Sequence, residues 1–270
     1  MPTELGPITR NNVTVVGNPT AAQTLVFVHG LGNDQTAWRA VAEPFKADFR
    51  IVLLDNVGAG KSDPQAFQQH LYLNLRHYAT DLLEVCDALA LKSVILIGHS
   101  ASAMMGALAA LSRPELVARL VMIGASPRYL DDGSYRGGFT KQDVDALYQQ
   151  VMHGGPGWVD SFAPAMMGNA DRPELTIRFA DALNAIPPDR ILTVLCSILQ
   201  SDHRQDIARL TTPTLIVQSS NDNAVPLGVA EYLHKAIAGS RLMLIDADGH
   251  LPHISAPDRV VAAITPFLYQ

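Results

Sequence analysis

VILIGHSASAMMG, residues 94–106, decides the fold of this 270-residue chain. An apolar run is followed by a serine and then by small and apolar residues, a pattern typical of a buried β-strand that turns sharply into a helix. The serine at the turn, Ser100, is either a plain helix N-cap or the nucleophile of a strand–turn–helix elbow. An elbow needs small residues two positions before and after it, and Gly98 and Ser102 are both small. The choice therefore depends on whether the chain supplies partners for Ser100.

Apolar and β-branched runs alternate with amphipathic segments on both sides of this stretch. The predicted strands are VTVV (13–16), TLVFVH (24–29), IVLLD (51–55), VILIG (94–98), LVMIG (120–124), TLIVQ (214–218) and RLMLID (241–246). From the second strand onward the runs are almost continuously apolar, as in a parallel sheet covered by helices on both faces. The alternation predicts an α/β fold with a mostly parallel, doubly wound sheet.

One long interval, residues 127–210, has no strand pattern and consists of helical segments separated by glycine- and proline-rich turns. Its place between two strands predicts an inserted helical lid over the carboxyl edge of the sheet, where open α/β sheets bind ligands. The alternative is a structural subdomain with no part in binding. We therefore divide the chain into an α/β core, residues 1–126 and 211–270, and a helical lid, residues 127–210.

Composition limits the classes of function. A hydrophobic content of 48% is sufficient for one large core, and a net charge of −6 without a basic run argues against a nucleic-acid partner. The N-terminal segment lacks an apolar signal-peptide core, and no run of about 18 apolar residues occurs, so we expect a cytoplasmic monomer without membrane contact. Cys86 and Cys196 lie in apolar helical patterns that predict buried thiols. No histidine spacing fits a metal site, and we expect no cofactor.

Two residues later in the chain have the chemistry that an activated serine needs. A base must take the proton of the hydroxyl, and a carboxylate must orient the base. Asp222 follows the predicted strand 214–218, and His250 follows the predicted strand 241–246. Both therefore lie at the sheet edge where Ser100 emerges, and the order Ser, Asp, His is that of α/β-hydrolase triads. These positions predict a catalytic triad.

Stabilisation of an oxyanion requires two backbone amides. One donor is the amide after the nucleophile, that of Ala101. The loop VHGLGNDQ, residues 28–35, predicts the second donor at Leu31, which two glycines flank. An ordinary glycine-rich connection is the alternative for this loop. His253 is the alternative base to His250, but it lies farther from the strand, and we expect it to pack under the loop.

Several motifs resemble those of the RsbQ-type α/β hydrolases, the bacterial stress-regulator relatives of the plant karrikin and strigolactone receptors. The motifs are HGLGNDQTAW, LLDNVGAGKSD, GHSASAM, SPRYLDDGSYRGGF, FAP, QSDHR and GHLPH, in that family's order along almost the whole chain. The resemblance implies an α/β-hydrolase fold, a Ser100–His250–Asp222 triad, and Leu31 and Ala101 as oxyanion donors. It also implies a four-helix, V-shaped lid over a deep apolar pocket.

The same resemblance implies a set of substrate-pocket positions. They are His29, Tyr129, Trp158, Phe162, Phe179, Ile198, Leu199 and Ala224. Several members of the family have phenylalanine at the position of Leu31, so the pocket near the nucleophile is expected to differ in shape here. Without the family, the aromatic residues fit the core of a lid equally well.

Two classes of function fit these residues. The first is a serine hydrolase that cleaves small hydrophobic esters or lactones through an acyl-serine intermediate. The second is a signalling protein that binds a small hydrophobic compound, hydrolyses it slowly and acts through a regulatory protein partner. Hydroxynitrile lyases and cofactor-free oxygenases share the fold, whereas haloalkane dehalogenases and epoxide hydrolases need an aspartate where Ser100 stands. The triad favours the hydrolase.

Overall fold

A single seven-stranded sheet organises the part of the chain that the computed structural model describes, residues 6–153 and 157–270. Its strands are Thr14–Gly17 (β1), Thr24–Val28 (β2), Arg50–Leu54 (β3), Val94–His99 (β4), Val117–Ile123 (β5), Thr214–Asn221 (β6) and Arg241–Asp248 (β7). The strand order is β1-β3-β2-β4-β5-β6-β7. β1 is antiparallel to β3, and all other neighbouring strands are parallel. The predicted strands and the predicted fold class are confirmed.

Helices connect these strands and cover the sheet. In the described residues they are Pro7–Arg10 (α1), Arg39–Ala42 (α2), Gln69–Tyr72 (α3), Leu75–Ala88 (α4), Ala101–Ser112 (α5), Lys141–His153 (α6), Gly157–Met167 (α7), Pro173–Asn184 (α8), Pro188–Leu199 (α9), Arg204–Ile207 (α10), Leu227–Ala236 (α11), Pro252–Ser255 (α12) and Pro257–Leu268 (α13). No single helix in this part of the chain is both long and apolar enough to cross a membrane. The sharply bent pair of α8 and α9 reaches that length and composition only when the two are taken together.

The sheet is buried on both faces because successive side chains of a strand point to opposite sides. In β2, Leu25 and Phe27 pack into a core that α13 covers. Val26 and Val28 point the other way, into a larger core that contains the apolar sides of α4 and α5. Full burial of each such side chain contributes roughly 1.5–3 kcal/mol. The apolar runs predicted as strands are therefore the centre of both cores.

The interval between β5 and β6 contains the four longer helices α6 to α9 and the short α10, which we call the inserted helices. Within its described residues, β-pairing is limited to two isolated bridges, Leu130 with Phe139 and Asp132 with Tyr135. The buried side chains of the inserted helices join the same core as α4 and α5. The division of the chain into core and lid stays a prediction, and residues 1–5 of that core and 154–156 of that lid lie outside the described residues.

The rings of Trp38, His253 and His99, the last residue of β4, pack together. The ring of the fully buried His253 lies 4.5 Å from that of Trp38 and 4.3 Å from that of His99, measured between centroids. Neither ring nitrogen of His253 has a hydrogen-bond partner in the described structure. Burial, followed by the neighbouring histidines, lowers the pKa of His253 well below its ordinary value and that of His99 to about 3. Both rings are therefore uncharged near neutral pH, and His253 packs under the loop as expected.

The uncharged His253 predicts a loss of stability in mild acid. Below the ordinary histidine pKa of 6.5 the unfolded chain binds a proton at this side chain that the folded protein does not bind. The free energy of unfolding therefore falls with decreasing pH, by up to about 1.4 kcal/mol per pH unit for each such group. We expect His253→Phe to make this decline less steep between about pH 6.5 and 5, as measured by urea denaturation.

The matched control is His70→Gln, a substitution at an exposed histidine, and it should leave the slope of the wild-type protein unchanged. If His253→Phe and the wild-type protein lose stability with the same slope, His253 takes up its proton in the folded state, and the burial argument is wrong.

Candidate active site

Ser100 lies at the apex of the turn between β4 and α5. Its backbone angles, φ 57° and ψ −127°, are a conformation that side-chain-bearing residues rarely adopt and that nucleophile elbows require. The turn is tight, because a Cβ atom at Gly98 would collide with the carbonyl oxygen of Ser102. Ser102 itself fits, and its hydroxyl donates a hydrogen bond of 2.5 Å to the carbonyl of His29. The serine at this position therefore links the elbow helix to the loop after β2.

His250 and Asp222 form a hydrogen-bonded chain with Ser100. The Nε2 atom of His250 lies 2.8 Å from the Ser100 hydroxyl oxygen. The Nδ1 atom of His250 lies 3.0 Å from each carboxylate oxygen of Asp222. Asp222 follows β6 directly and His250 closely follows β7, and these neighbouring strands end side by side, with Asn221 opposite Asp248. The structure thus brings the three predicted residues together, with the imidazole between carboxylate and hydroxyl.

The environment of Asp222 keeps its carboxyl group charged. Its Oδ1 atom accepts hydrogen bonds from the amides of Ala224 (2.8 Å) and Val225 (2.9 Å), and its Oδ2 atom accepts one from the Gln218 side chain (3.0 Å). Burial acts to raise the pKa of Asp222, but the interaction with His250 and the amide hydrogen bonds outweigh it, so the pKa lies below its ordinary value. A charged Asp222 holds the proton of His250 on Nδ1 and leaves Nε2 free to accept one.

Two backbone amides near Ser100 have no acceptor in the described structure. Ala101 is the first residue of α5, so its amide has no partner within the helix. The amide of Leu31, in the loop after β2, also makes no backbone hydrogen bond there. The loop packs closely on β4, since a Cβ atom at Gly30 would lie 2.6 Å from the His99 ring. The structure leaves both predicted oxyanion donors available, and their role stays a prediction.

Asn56 connects the loop that carries Leu31 to the elbow helix. Its side-chain amide donates to the carbonyl of His29 (2.8 Å) and to the hydroxyl of Ser102 (3.2 Å). Its backbone amide donates to Nε2 of His29 (3.0 Å), and Nδ1 of that ring lies 2.8 Å from the carbonyl of Gly30. These contacts fix the position of the Leu31 amide relative to Ser100 through hydrogen bonds on both sides of the loop.

An apolar cavity of about 50 Å³ lies at Ser100 and His250. The other residues that line it are Leu31, His99, Tyr129, Phe139, Leu147, Phe162, Met166, Phe179, Leu195, Ile198, Leu199, Ala224 and Leu251. Among the described residues no acidic side chain, lysine or arginine lines this cavity. Such a cavity suits a neutral, apolar ligand, and its described lining has no carboxylate, ammonium or guanidinium group to pair with a charged one.

Two of the predicted pocket residues, His29 and Trp158, are not among the described residues that line this cavity. The His29 ring belongs instead to the hydrogen-bond network of Asn56, and burial lowers its pKa. Trp158 is buried in α7, where its ring lies 5.3 Å from that of Phe162, so Phe162 and not Trp158 reaches the cavity. Neither residue lines the cavity at Ser100 in the described structure, and their place in the substrate pocket stays a prediction.

Tyr129 lies closer to the chemistry than the sequence indicated. Its hydroxyl is 3.1 Å from the Ser100 hydroxyl, and the residue is almost fully buried. Burial raises the pKa of Tyr129, so the phenol stays protonated. The loop that carries it is held by two hydroxyls, of Ser126 (2.8 Å) and Tyr135 (2.9 Å), which both donate to the carbonyl of Arg128. Tyr129 is therefore a second hydrogen-bond partner of the candidate nucleophile.

The end of α7 contacts both loops that carry His250 and Asp222, and the sequence analysis missed this contact. The amide of His250 donates to the carbonyl of Met166 (2.8 Å). The side chain of Asn223, next to Asp222, donates to the carbonyl of Ala165 (2.8 Å). Hydrogen bonds to backbone carbonyls far away in the chain leave no residue pattern, so nothing in the sequence could have indicated them. The inserted helices are thereby bound directly to the candidate catalytic loops.

Comparisons with known proteins identify the family of the chain. A profile of the alpha/beta hydrolase fold family matches residues 23–257. The chain is 40% identical over 255 residues to a probable esterase of Oryza sativa subsp. japonica, covering 94% of each chain. It is 38% identical over 256 residues to a karrikin insensitive 2 receptor of Petunia hybrida, covering 94% of each chain. It is 38% identical over 247 residues to a strigolactone esterase of Arabidopsis thaliana, covering 91% of each chain.

The fold comparison gives the same result. The solved structure of a hydrolase from Oleispira antarctica superposes with a TM-score of 0.94 at 29% sequence identity, covering 98% of this chain and 96% of that chain. The relatives confirm the resemblance to the family of the plant karrikin and strigolactone receptors. The chain therefore belongs to the α/β-hydrolase family, alongside the plant receptor-type members.

Proposed function

We propose that this protein is a serine hydrolase that cleaves small hydrophobic esters or lactones through an acyl intermediate on Ser100. The observation that carries the proposal is the hydrogen-bonded chain from Asp222 through His250 to the Ser100 hydroxyl, with 2.8 Å at its last link. The apolar cavity at Ser100 supports an uncharged substrate. The esterase names of the relatives from Oryza sativa and Arabidopsis thaliana support the reaction class.

The reaction proceeds in two halves. The Ser100 oxygen attacks the carbonyl carbon of the ester while its proton passes to Nε2 of His250. The carbonyl oxygen becomes an oxyanion that accepts hydrogen bonds from the Leu31 and Ala101 amides. The intermediate then collapses, the C–O bond to the alcohol breaks, and the alcohol takes the proton from His250. In the second half His250 takes a proton from water while the water oxygen attacks the acyl carbon. The bond between that carbon and the Ser100 oxygen then breaks, His250 returns the proton to the Ser100 oxygen, and the acid is released.

Asp222 and Tyr129 support these steps. The charged Asp222 stabilises the imidazolium that forms at His250 in both halves. The protonated Tyr129 hydroxyl hydrogen-bonds to the Ser100 oxygen and orients it before attack. Binding itself relies on apolar burial, at about 0.8 kcal/mol for each fully buried methylene. Substrates are therefore selected for their size and lack of charge.

A second candidate function, a receptor that binds a small molecule and turns it over slowly, is favoured by one contact. The end of α7 is hydrogen-bonded to the loops of His250 and Asp222, so a ligand that displaces either loop also displaces the inserted helices. The Petunia hybrida relative is named a receptor. Rapid-mixing kinetics separates the two functions: the receptor is expected to give a burst of product followed by slow turnover, and the enzyme is expected to give sustained fast turnover.

A fluorophosphonate probe tests the nucleophile. We expect one probe per chain in the wild-type protein and in Ser102→Ala, and none in Ser100→Ala, as measured by intact mass and peptide mapping. Ser102 is fully buried and its hydroxyl donates to a backbone carbonyl, so it is protected from reaction. Ser100→Ala should remain folded with a modestly changed thermal melting temperature, because the substitution leaves both cores intact and removes only the hydrogen bonds to His250 and Tyr129. Labelling that persists in Ser100→Ala contradicts the proposal.

Kinetics of two histidine variants tests the base. His250→Ala should lower kcat for p-nitrophenyl acetate by several orders of magnitude, the loss typical of a missing triad base. His253→Phe should keep kcat within a few-fold of wild type, since that ring contacts Trp38 and His99 and makes no hydrogen bond in the described structure. The reverse ranking of the two variants assigns the base to position 253.

The cavity wall at Phe162 sets the largest substrate that the site accepts. Phe162→Ala should shift the optimum of kcat/KM to longer esters, measured with two series of neutral esters that are extended in the acyl chain or in the alcohol. Each additional buried methylene then contributes about 0.8 kcal/mol, or several-fold in kcat/KM. The control Trp158→Phe should leave the optimum in place, since Trp158 packs behind the wall. An unchanged optimum in Phe162→Ala shows that the substrate does not pass this ring.

A further inference from the structure

A second cavity, of about 30 Å³, lies on the other side of the oxyanion loop, and we call it the inner chamber. Leu31 and Ile198 line both the inner chamber and the cavity at Ser100, so these two side chains separate the two spaces. Ala101, whose amide is a predicted oxyanion donor, also lines the inner chamber. The inner chamber is therefore adjacent to the place where an acyl group on Ser100 would lie.

The lining of the inner chamber has one unused hydrogen-bonding group. Tyr78 lines the chamber and is buried, and its hydroxyl has no partner in the described structure. The neighbouring polar side chains of Asn56 and Ser102 already donate to the carbonyl of His29. A buried hydroxyl without a partner destabilises a protein, because it has lost its hydrogen bonds to water and gained none in return. A ligand oxygen that accepts a hydrogen bond from Tyr78 would remove this cost.

The absence of charged side chains among the described lining residues of the inner chamber favours a neutral ligand. Among the described residues, no acidic side chain, lysine or arginine lines it, and burial keeps the His29 ring uncharged near neutral pH. Burial, followed by the nearby Asp81, raises the pKa of Tyr78, so its hydroxyl remains a donor. The rest of the lining is mainly apolar, and residues such as Met105 and Ile191 are almost fully buried. The chamber is therefore uncharged, and its lining includes Tyr78, whose hydroxyl has no partner in the described structure.

We propose that the inner chamber is a second compartment of the active site, and that it takes the end of a neutral acyl group carrying one acceptor oxygen, as in an ether. The acyl group stays on Ser100 until water releases it, whereas the alcohol leaves earlier, so a space behind the Leu31 side chain suits the acyl group better than the alcohol. Entry requires the Leu31 side chain to turn away from the boundary between the two spaces. The proposal rests on the proposed hydrolase function, since it needs an acyl group on Ser100.

Paired p-nitrophenyl esters test the hydrogen bond of Tyr78. Each pair compares an ether with the carbon chain of equal length: 3-methoxypropanoate with pentanoate, and 4-methoxybutanoate with hexanoate. For each pair we compare kcat/KM of the ether with kcat/KM of the carbon chain. In the pair whose length places the oxygen near Tyr78, the substitution Tyr78→Phe should lower this ratio by roughly three- to tenfold. The thermal melting temperature of Tyr78→Phe should be equal to or higher than that of the wild-type protein, because the variant lacks the unpaired hydroxyl.

A substitution on α9 that reduces the volume of the inner chamber tests whether the acyl group enters it. Val194→Phe places a larger side chain in the lining of the inner chamber and should lower kcat/KM for the hexanoate, relative to that for the acetate, by roughly tenfold. The matched control is Leu192→Phe on the same helix. Leu192 is not among the described residues that line either cavity, and this variant should keep the wild-type ratio.

The outcomes distinguish this proposal from the proposed function. Suppose that hydrolysis of p-nitrophenyl acetate depends on Ser100, but that neither Tyr78→Phe nor Val194→Phe changes its kcat/KM ratio. This result overturns the proposal for the inner chamber and leaves the proposed hydrolase function in place. A wild-type protein that hydrolyses none of these esters overturns both. Ratios that fall in both variants and stay constant in Leu192→Phe establish the inner chamber as the acyl compartment.

Discussion

The contact between Gly98 and the carbonyl of Ser102 determines how closely α5 packs against the sheet. Any side chain at Gly98 would collide with that carbonyl. The close approach of α5 therefore requires glycine at position 98. The short approach forces Ser100 into its unusual backbone conformation and raises its hydroxyl above the ends of the parallel strands. Every other part of the site, from the imidazole to the oxyanion loop, is positioned relative to this apex.

The loop that carries Leu31 is held by hydrogen bonds that do not involve Ser100, Asp222 or His250. Asn56 and Ser102 both donate to the carbonyl of His29, and Asn56 also donates to its ring. Without these contacts the glycines beside Leu31 would allow the loop several conformations, and the Leu31 amide would lose its fixed direction. The motifs around Asn56 and Ser102 therefore belong to one structural device, although they lie far apart in the chain.

The inserted helices share hydrogen bonds with the loops that carry Asp222 and His250. The carbonyls at the end of α7 accept hydrogen bonds from His250 and Asn223, and Phe162 of the same helix lines the cavity. A compound in the cavity would therefore contact the same helix, α7, that accepts a hydrogen bond from the His250 amide.

The sequence by itself determined the strands, the fold class and the three residues of the candidate triad. Each strand is a local apolar run, and Ser100, Asp222 and His250 each follow such a run, so their meeting at one sheet edge follows from parallel topology alone. Tertiary structure decided that Tyr129 hydrogen-bonds to Ser100, that the rings of His29 and Trp158 lie outside the cavity, and that the inner chamber exists. These features depend on side-chain rotamers and on packing between distant segments. Local patterns of polarity carry no information about either.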